Sequence, residues 1–306
     1  MRVFTAFLGL FLLGFAAIAV FTYPAWMLLH PHFDFPFHRI GERIGMLALL
    51  LGLVLVARRL HLNDRASLGF RLARPAFLRE MSLGLGLGVL SMAAVVGIMS
   101  ALGLISWSAA APLAAVGLAK LVLLRLFSGL AVAFIEETFI RGAMLTGIAR
   151  KTGATRAVLL TALIYAATHF FASYKIPAAE VTAWSGLDLI SGTLHRFAHP
   201  LAIADAFACL FAVGVVLGAI RVTTGNIAAG IGLHAGWVWV MLVAHDLTQP
   251  VRDAPWSFLV SRFDGFIGWL VLAWTIVLGL GLQRFYARRA RAKAPPGTSP
   301  TTAPLT

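Results

Sequence analysis

Eight apolar stretches, each close to the roughly 20 residues a helix needs to cross the hydrocarbon core of a bilayer, fill this sequence almost from end to end. They lie near residues 4–29, 40–57, 81–105, 118–141, 155–172, 201–220, 226–245 and 264–282. With 60% hydrophobic and 12% charged residues, the chain has too little polar surface to clothe a water-soluble globule. Lipid reverses that requirement, but only for structures that satisfy their own backbone hydrogen bonds. The sequence therefore predicts an all-α, polytopic transmembrane helical bundle of about eight spans, a single integral membrane domain over residues 1–293. Arg2 ahead of the first apolar run gives it the look of a secretory signal. The run is too long for an h-region and no clear small-residue cleavage site follows, so it is read as a span. Cys209, the one cysteine, sits inside an apolar run, which rules out a disulfide framework within the chain.

The net charge of +13 is distributed as topology signals rather than as a nucleic-acid surface. Arg2, the arginines of segment 58–80, those between spans four and five, Arg221 and the basic tail put seventeen Lys and Arg on one side. Arg39, Arg43, Lys175, Arg196, Arg252 and Arg262 put six on the other, with Lys120 and Arg125 inside a span. This bias predicts cytoplasmic termini, and an even number of spans requires the two ends to share a side. Residues 294–306, rich in Pro, Thr and Ser, are expected to be disordered. Segment 58–80 mixes arginines with Leu60, Leu62, Leu68, Phe70, Phe77 and Leu78, and is expected to lie along the inner membrane surface. The two halves share no repeat, which argues against a transporter built from inverted repeats.

A carboxylate inside a span costs at least about 2.5–3.5 kcal/mol at its centre on insertion scales, so intramembrane acids mark function or a partner. Span four carries Glu136-Glu137-Thr138-Phe139-Ile140-Arg141. Helical spacing pairs Glu137 with Arg141, while Glu136 points about 100° away and has no basic partner at that spacing. One acid is thus structural and the other free for chemistry. Span five carries Tyr165 and His169, and span seven His234. If the chain turns at Lys151-Thr152-Gly153, Glu136 and His169 lie about 16–17 residues from the turn on opposite arms, hence at similar depth. His234 would lie roughly 12 Å into the membrane, counted from Asn226. One carboxylate and two imidazoles would then share a cavity. Glu and His both bind zinc and activate water, so Glu136, His169 and His234 are the candidate ligands of a possible Zn²⁺, with a glutamate mechanism lacking metal as the alternative.

These segments resemble the CAAX prenyl protease and bacteriocin-processing (Abi, CPBP) family of intramembrane proteases. Its Glu-Glu-x-x-x-Arg motif is matched by Glu136, Glu137 and Arg141, followed by Gly142. The aromatic four residues before a His, usually Phe, is Tyr165 before His169; the third motif is His234, followed by Val238. The resemblance spans about residues 115–245. It implies an eight-span helical fold and peptide-bond hydrolysis in a membrane cavity, with Glu136 and His169 activating water, His234 completing the site, and Glu137 and Arg141 supporting it. Family members carry Asn or another polar residue where this chain has Val238, a group thought to hold the oxyanion or the water. A replacement would have to come from Trp237, Thr168 or a backbone N–H.

The remaining clusters read as structural. His195 and His199 have metal-like spacing but sit in the connection 173–200 beside Pro200, as loop histidines. His30, His32 and His38 fall in an external loop, and His245-Asp246 reads as an interfacial cap. The pairs Gly84/Gly88, Gly214/Gly218 and Gly232/Gly236 permit close helix packing. The leading expectation is an intramembrane endopeptidase acting on a membrane protein or peptide in the lipid bilayer, with no nucleic-acid partner. A non-enzymatic scaffold derived from such a protease, favoured by Val238, and a proton-coupled transporter are the alternatives. The Ala-, Gly- and Arg-rich composition suggests a bacterial inner membrane.

Overall fold

The computed structural model describes residues 2–108, 115–170 and 174–293. Apolar sequence becomes helix almost throughout, as the need to close backbone hydrogen bonds locally requires. The long helices are α1 (Arg2–Leu29), α2 (Phe37–Arg59), α3 (Arg74–Ala101) and α4 (Ala115–Glu136), the last continuing through a π-helical turn (Glu137–Met144) into α5 (Leu145–Thr152). There follow α6 (Ala154–Thr168), α7 (Ser185–Phe197), α8 (Ala204–Thr224), α9 (Ala228–Leu247) and α10 (Trp269–Lys293). Seven of these rods are long and apolar enough to cross a membrane. The remaining expected span, α6, is apolar but only 15 residues long. The chain is an integral membrane helical bundle. The tail 294–306 lies outside the described residues.

Glycine decides how close the helices come. Gly84 and Gly88 on α3 interlock with Gly232 and Gly236 on α9, and a Cβ at any of the four would collide with the facing backbone. Without a hydrophobic force between helices in lipid, such contact supplies the dispersion energy that holds them. On the opposite flank Gly214 and Gly218 of α8 receive Ala162 and Val158 of α6. The α4–α5 rod ends at Gly153, whose φ of +84° reverses the chain into α6. Gly225, left-handed at φ +68°, ends α8, and the Asn226 side chain accepts the Ala228 N–H at 3.0 Å to start α9. A two-stranded antiparallel ribbon, β1 (Ile105–Trp107) with β2 (Thr248–Pro250), joins the ends of α3 and α9. Arg125 of α4 binds Asp246 of α9 through two hydrogen bonds of 2.6 and 2.8 Å at that end. This pair replaces the interfacial cap expected of Asp246 and gives the intramembrane Arg125 its partner.

Three expectations are corrected. The middle of segment 58–80 does not lie open on the surface: Leu62 and Ser67 are buried, and Leu68 packs its backbone on Gly142. A turn has backbone groups that lipid cannot satisfy, and neighbouring helices supply the partners. Asp64 accepts the N–H groups of Ala66 and Ser67, the Thr146 hydroxyl donates to the Ser67 carbonyl at 2.8 Å, and Arg150 donates to the Ser67 hydroxyl at 2.7 Å. His195 is helical rather than in a loop, because α7 buries Leu189 and Thr193, and Gly186 packs on Ala19 of α1. The last span begins at Trp269 rather than 264. Residues 261–268 form a turn in which Asp264 accepts the Phe266 and Ile267 N–H groups, each at 2.9 Å.

Two outcomes follow for thermal unfolding in detergent. Gly232→Ala pushes a Cβ into the Met81 backbone and lowers stability by about 1–3 kcal/mol, whereas Gly97→Ala, which meets nothing within 4 Å, leaves it unchanged or slightly raised. Burial raises the Asp264 carboxyl to about 7 against the pull of its two N–H donors. Between an unfolded value near ~4 and the folded one, the folded chain therefore holds a proton that the unfolded chain has released. Stability falls as pH rises through that window, and Asp264→Asn, which keeps the acceptor oxygen, removes this component of the slope.

Candidate active site

A charge buried among lipid-facing helices must be paired. The sequence meets that demand at the π turn, a feature that often marks functional segments because it breaks the regular ladder. Within it Arg141, wholly buried, donates from Nη1 to Glu137 Oε1 at 2.8 Å. The same oxygen accepts the Nδ1–H of His234, reaching in from α9 at 3.0 Å. Gly230, one turn before His234, leaves room for the other oxygen: a Cβ there would stand 3.0 Å from Glu137 Oε2. On the far side the Arg141 guanidinium lies over the ring of Tyr165 at 4.3 Å. Its Nε and Nη2 have no hydrogen-bond acceptor, and the aromatic face takes that place. The Arg141 carbonyl accepts Arg221 Nε from α8 at 3.2 Å.

Glu136 stands apart from this network. Its side chain is 30% exposed, yet Oε2 is buried and has no hydrogen-bond partner. The atom facing it is His234 Nε2, 3.9 Å away. In the neutral ring, the Nδ1–H that His234 gives to Glu137 leaves the lone pair on Nε2. Two electron pairs therefore point across a gap too wide for a direct hydrogen bond. Only a group that supplies positive charge to both sides suits that gap.

His169 caps the end of α6, where its Nδ1 donates to the Tyr165 carbonyl at 2.8 Å. A carbonyl can only accept, so His169 also presents a bare Nε2. It interacts electrostatically with Glu136, His234 and Arg141, and its ring packs on Tyr165 at 4.4 Å. Of the three residues expected to share a cavity, Glu136 and His234 face one another and His169 stands across the ring of Tyr165 from His234, with Glu137 and Arg141 paired beside them. The expected metal set fares differently: among the described residues no group of three His, Cys, Asp or Glu is arranged to hold a metal ion. Glu136 and His234 face one another, but the third ligand does not complete a site in this geometry.

Residues 118–240 match the family model for the type II CAAX prenyl endopeptidase Rce1-like proteins, and all five converging residues lie inside the match. This part of the chain is similar to that family. No curated protein and no solved structure matches the chain. Within the matched segment Val238 stands one turn past His234, half-buried and apolar. Of the replacements open to sequence reasoning, Thr168 donates to the Tyr165 carbonyl at 2.9 Å and Trp237 donates to Ser91 at 2.8 Å, so both are committed elsewhere. Sequence reasoning missed Arg221 and Gly230. Arg221 was counted as a loop charge, and Gly230 carries no signal except its place one turn before His234.

The two acids separate in a stability measurement. Glu137→Ala strands the buried Arg141 charge and destabilises the fold by about 3–5 kcal/mol. Glu136→Gln deletes an unpartnered carboxylate and shifts unfolding by less than about 0.5 kcal/mol or stabilises.

Proposed function

We propose that this CAAX-protease-family chain is an intramembrane endopeptidase that hydrolyses a peptide bond of a membrane-associated protein or peptide. The observation that carries the reading is the buried, unpartnered Glu136 Oε2 facing the bare Nε2 of His234. A water molecule is the simplest occupant of that gap, since it can donate one hydrogen to each lone pair. Glu136 then acts as general base and His234 orients the water, while His169 offers a second bare nitrogen to the same space. Glu137 is spent on Arg141 and His234, and its role is to fix their geometry. Zinc would polarise bound water in such a place, but the donor set does not form three ligands here, and no step is assigned to a metal. Charge bias further supports cytoplasmic termini, and the Ala-, Gly- and Arg-rich composition supports a bacterial inner membrane.

Val238 favours a second reading, an inactive scaffold that binds substrate without turnover. The discriminating experiment uses purified chain in liposomes with a peptide library containing farnesylated and unmodified members, and reads new termini by mass spectrometry. Cleavage by the wild type that falls about 10²–10⁴-fold in Glu136→Gln, with folding intact, supports the endopeptidase. Peptide retention with no new termini would support the scaffold. Transport that depends on Glu136 without cleavage would support a proton-coupled transporter instead.

A further inference from the structure

Hydrolysis of an amide needs more than a base. Attack of water on the carbonyl carbon forms a C–O bond and drives the π pair onto oxygen, and the site must meet that negative charge with a preplaced donor. The obvious donors near Glu136 are occupied. His234 gives its Nδ1–H to Glu137, His169 gives its own to the Tyr165 carbonyl, and Thr168 and Trp237 are spent as described. The neighbouring backbone N–H groups are held within helices α6 and α9.

Tyr165 is different. Its ring stands between the two histidines, 4.4 Å from that of His169 and 6.0 Å from that of His234, the latter edge to face. Among charged groups its phenol interacts most strongly with Glu136. Among the described residues its hydroxyl makes no hydrogen bond, and although the residue is only 3% exposed the oxygen itself is not sealed off. A phenol left free in this way can donate to a bound group. The Arg141 guanidinium against the ring face draws electron density from the phenol and strengthens the O–H as a donor.

We propose that the Tyr165 hydroxyl is the oxyanion donor of this site, which makes it a catalytic residue in place of any polar group at position 238; this rests on the endopeptidase reading above. Water loses its proton to Glu136 as its oxygen bonds the substrate carbon. The resulting oxyanion accepts a hydrogen bond from Tyr165, which keeps its proton. When the intermediate collapses, the carbonyl re-forms, the C–N bond breaks, and the departing nitrogen takes the proton from Glu136. Tyr165 thereby serves two ends of one ring: its face holds Arg141 and its hydroxyl faces the reaction.

Tyr165→Phe tests this cleanly because it keeps the ring under Arg141 and removes only the oxygen. The probe is the best-cleaved peptide from the liposome library. The expected result is a kcat lower by about 10²–10³, with KM and the unfolding temperature unchanged. Adding Val238→Asn, which puts a donor one turn past His234, is expected to return at least about tenfold of the loss. Activity retained within about threefold in Tyr165→Phe overturns the proposal, as does a loss accompanied by lowered unfolding temperature or not relieved by Val238→Asn. Wild type that cleaves nothing overturns the endopeptidase reading and this role together. Wild-type cleavage that needs Glu136 but not the Tyr165 hydroxyl overturns only the latter.

Discussion

The Arg141–Glu137 ion pair is the contact on which the rest of the site depends. A guanidinium with no exposure, in a rod flanked by lipid-facing helices, exists as a charge only if every neighbour helps to stabilise it. Two elements do so, the π turn with Glu137 and α6 with the face of Tyr165, while α8 ties down the Arg141 carbonyl through Arg221 and α9 brings the histidine that shares the Glu137 oxygen. Because one carboxylate oxygen serves both Arg141 and His234, pairing a structural charge also fixes which nitrogen of His234 carries its proton. The tautomer of His234 is thus inherited from a requirement of folding.

The same economy operates at His169. Helix α6 has 15 residues, about 22 Å of rise, against a hydrocarbon core of roughly 30 Å. It is short for a span, and its last carbonyls need partners of their own. The Tyr165 carbonyl is satisfied by both His169 Nδ1 and the Thr168 hydroxyl, at 2.8 and 2.9 Å. An orphan helix end therefore orients the ring and leaves its other nitrogen bare. Rigid support comes from packing. His234 lies midway between Gly232 and Gly236, which lock α9 backbone-to-backbone on α3, and Gly214 and Gly218 hold α6 on α8. Side chains on such helices have little freedom to drift from the positions the network assigns them.

The fold class and the convergence of Glu136, His169 and His234 were legible because both follow from costs local in sequence: apolar length, and ionisable groups where none should be. The pairing of Glu137 with Arg141 was legible for the same reason, being a matter of spacing four. What the sequence did not disclose depends on non-local partners. The tucked-in turn at 61–70 reads as an amphipathic surface segment until Thr146 and Arg150 are seen to satisfy it. Arg221 reads as a topology charge until its Nε is found on the Arg141 carbonyl. The π turn leaves no periodicity to detect, and a three-ligand metal set could be imagined from composition although distance does not assemble it.

Neighbouring acids divided between these two fates show how stability and chemistry are kept apart in the bundle. One oxygen of Glu137 takes two donors, the Arg141 guanidinium and the His234 Nδ1–H, and is committed to holding them together. Glu136, one residue earlier and at the junction of α-helix and π turn, escapes every donor in reach and keeps a buried oxygen uncommitted. A residue that lacks a partner costs stability wherever it is buried, and a fold tolerates it only where the missing partner arrives from outside. In this chain the Glu136 oxygen and the bare Nε2 of His234 face each other, and the rings of Tyr165 and His169 pack beside them. A single water between the first two would satisfy both, and that shared demand is the physical basis of the proposed hydrolysis.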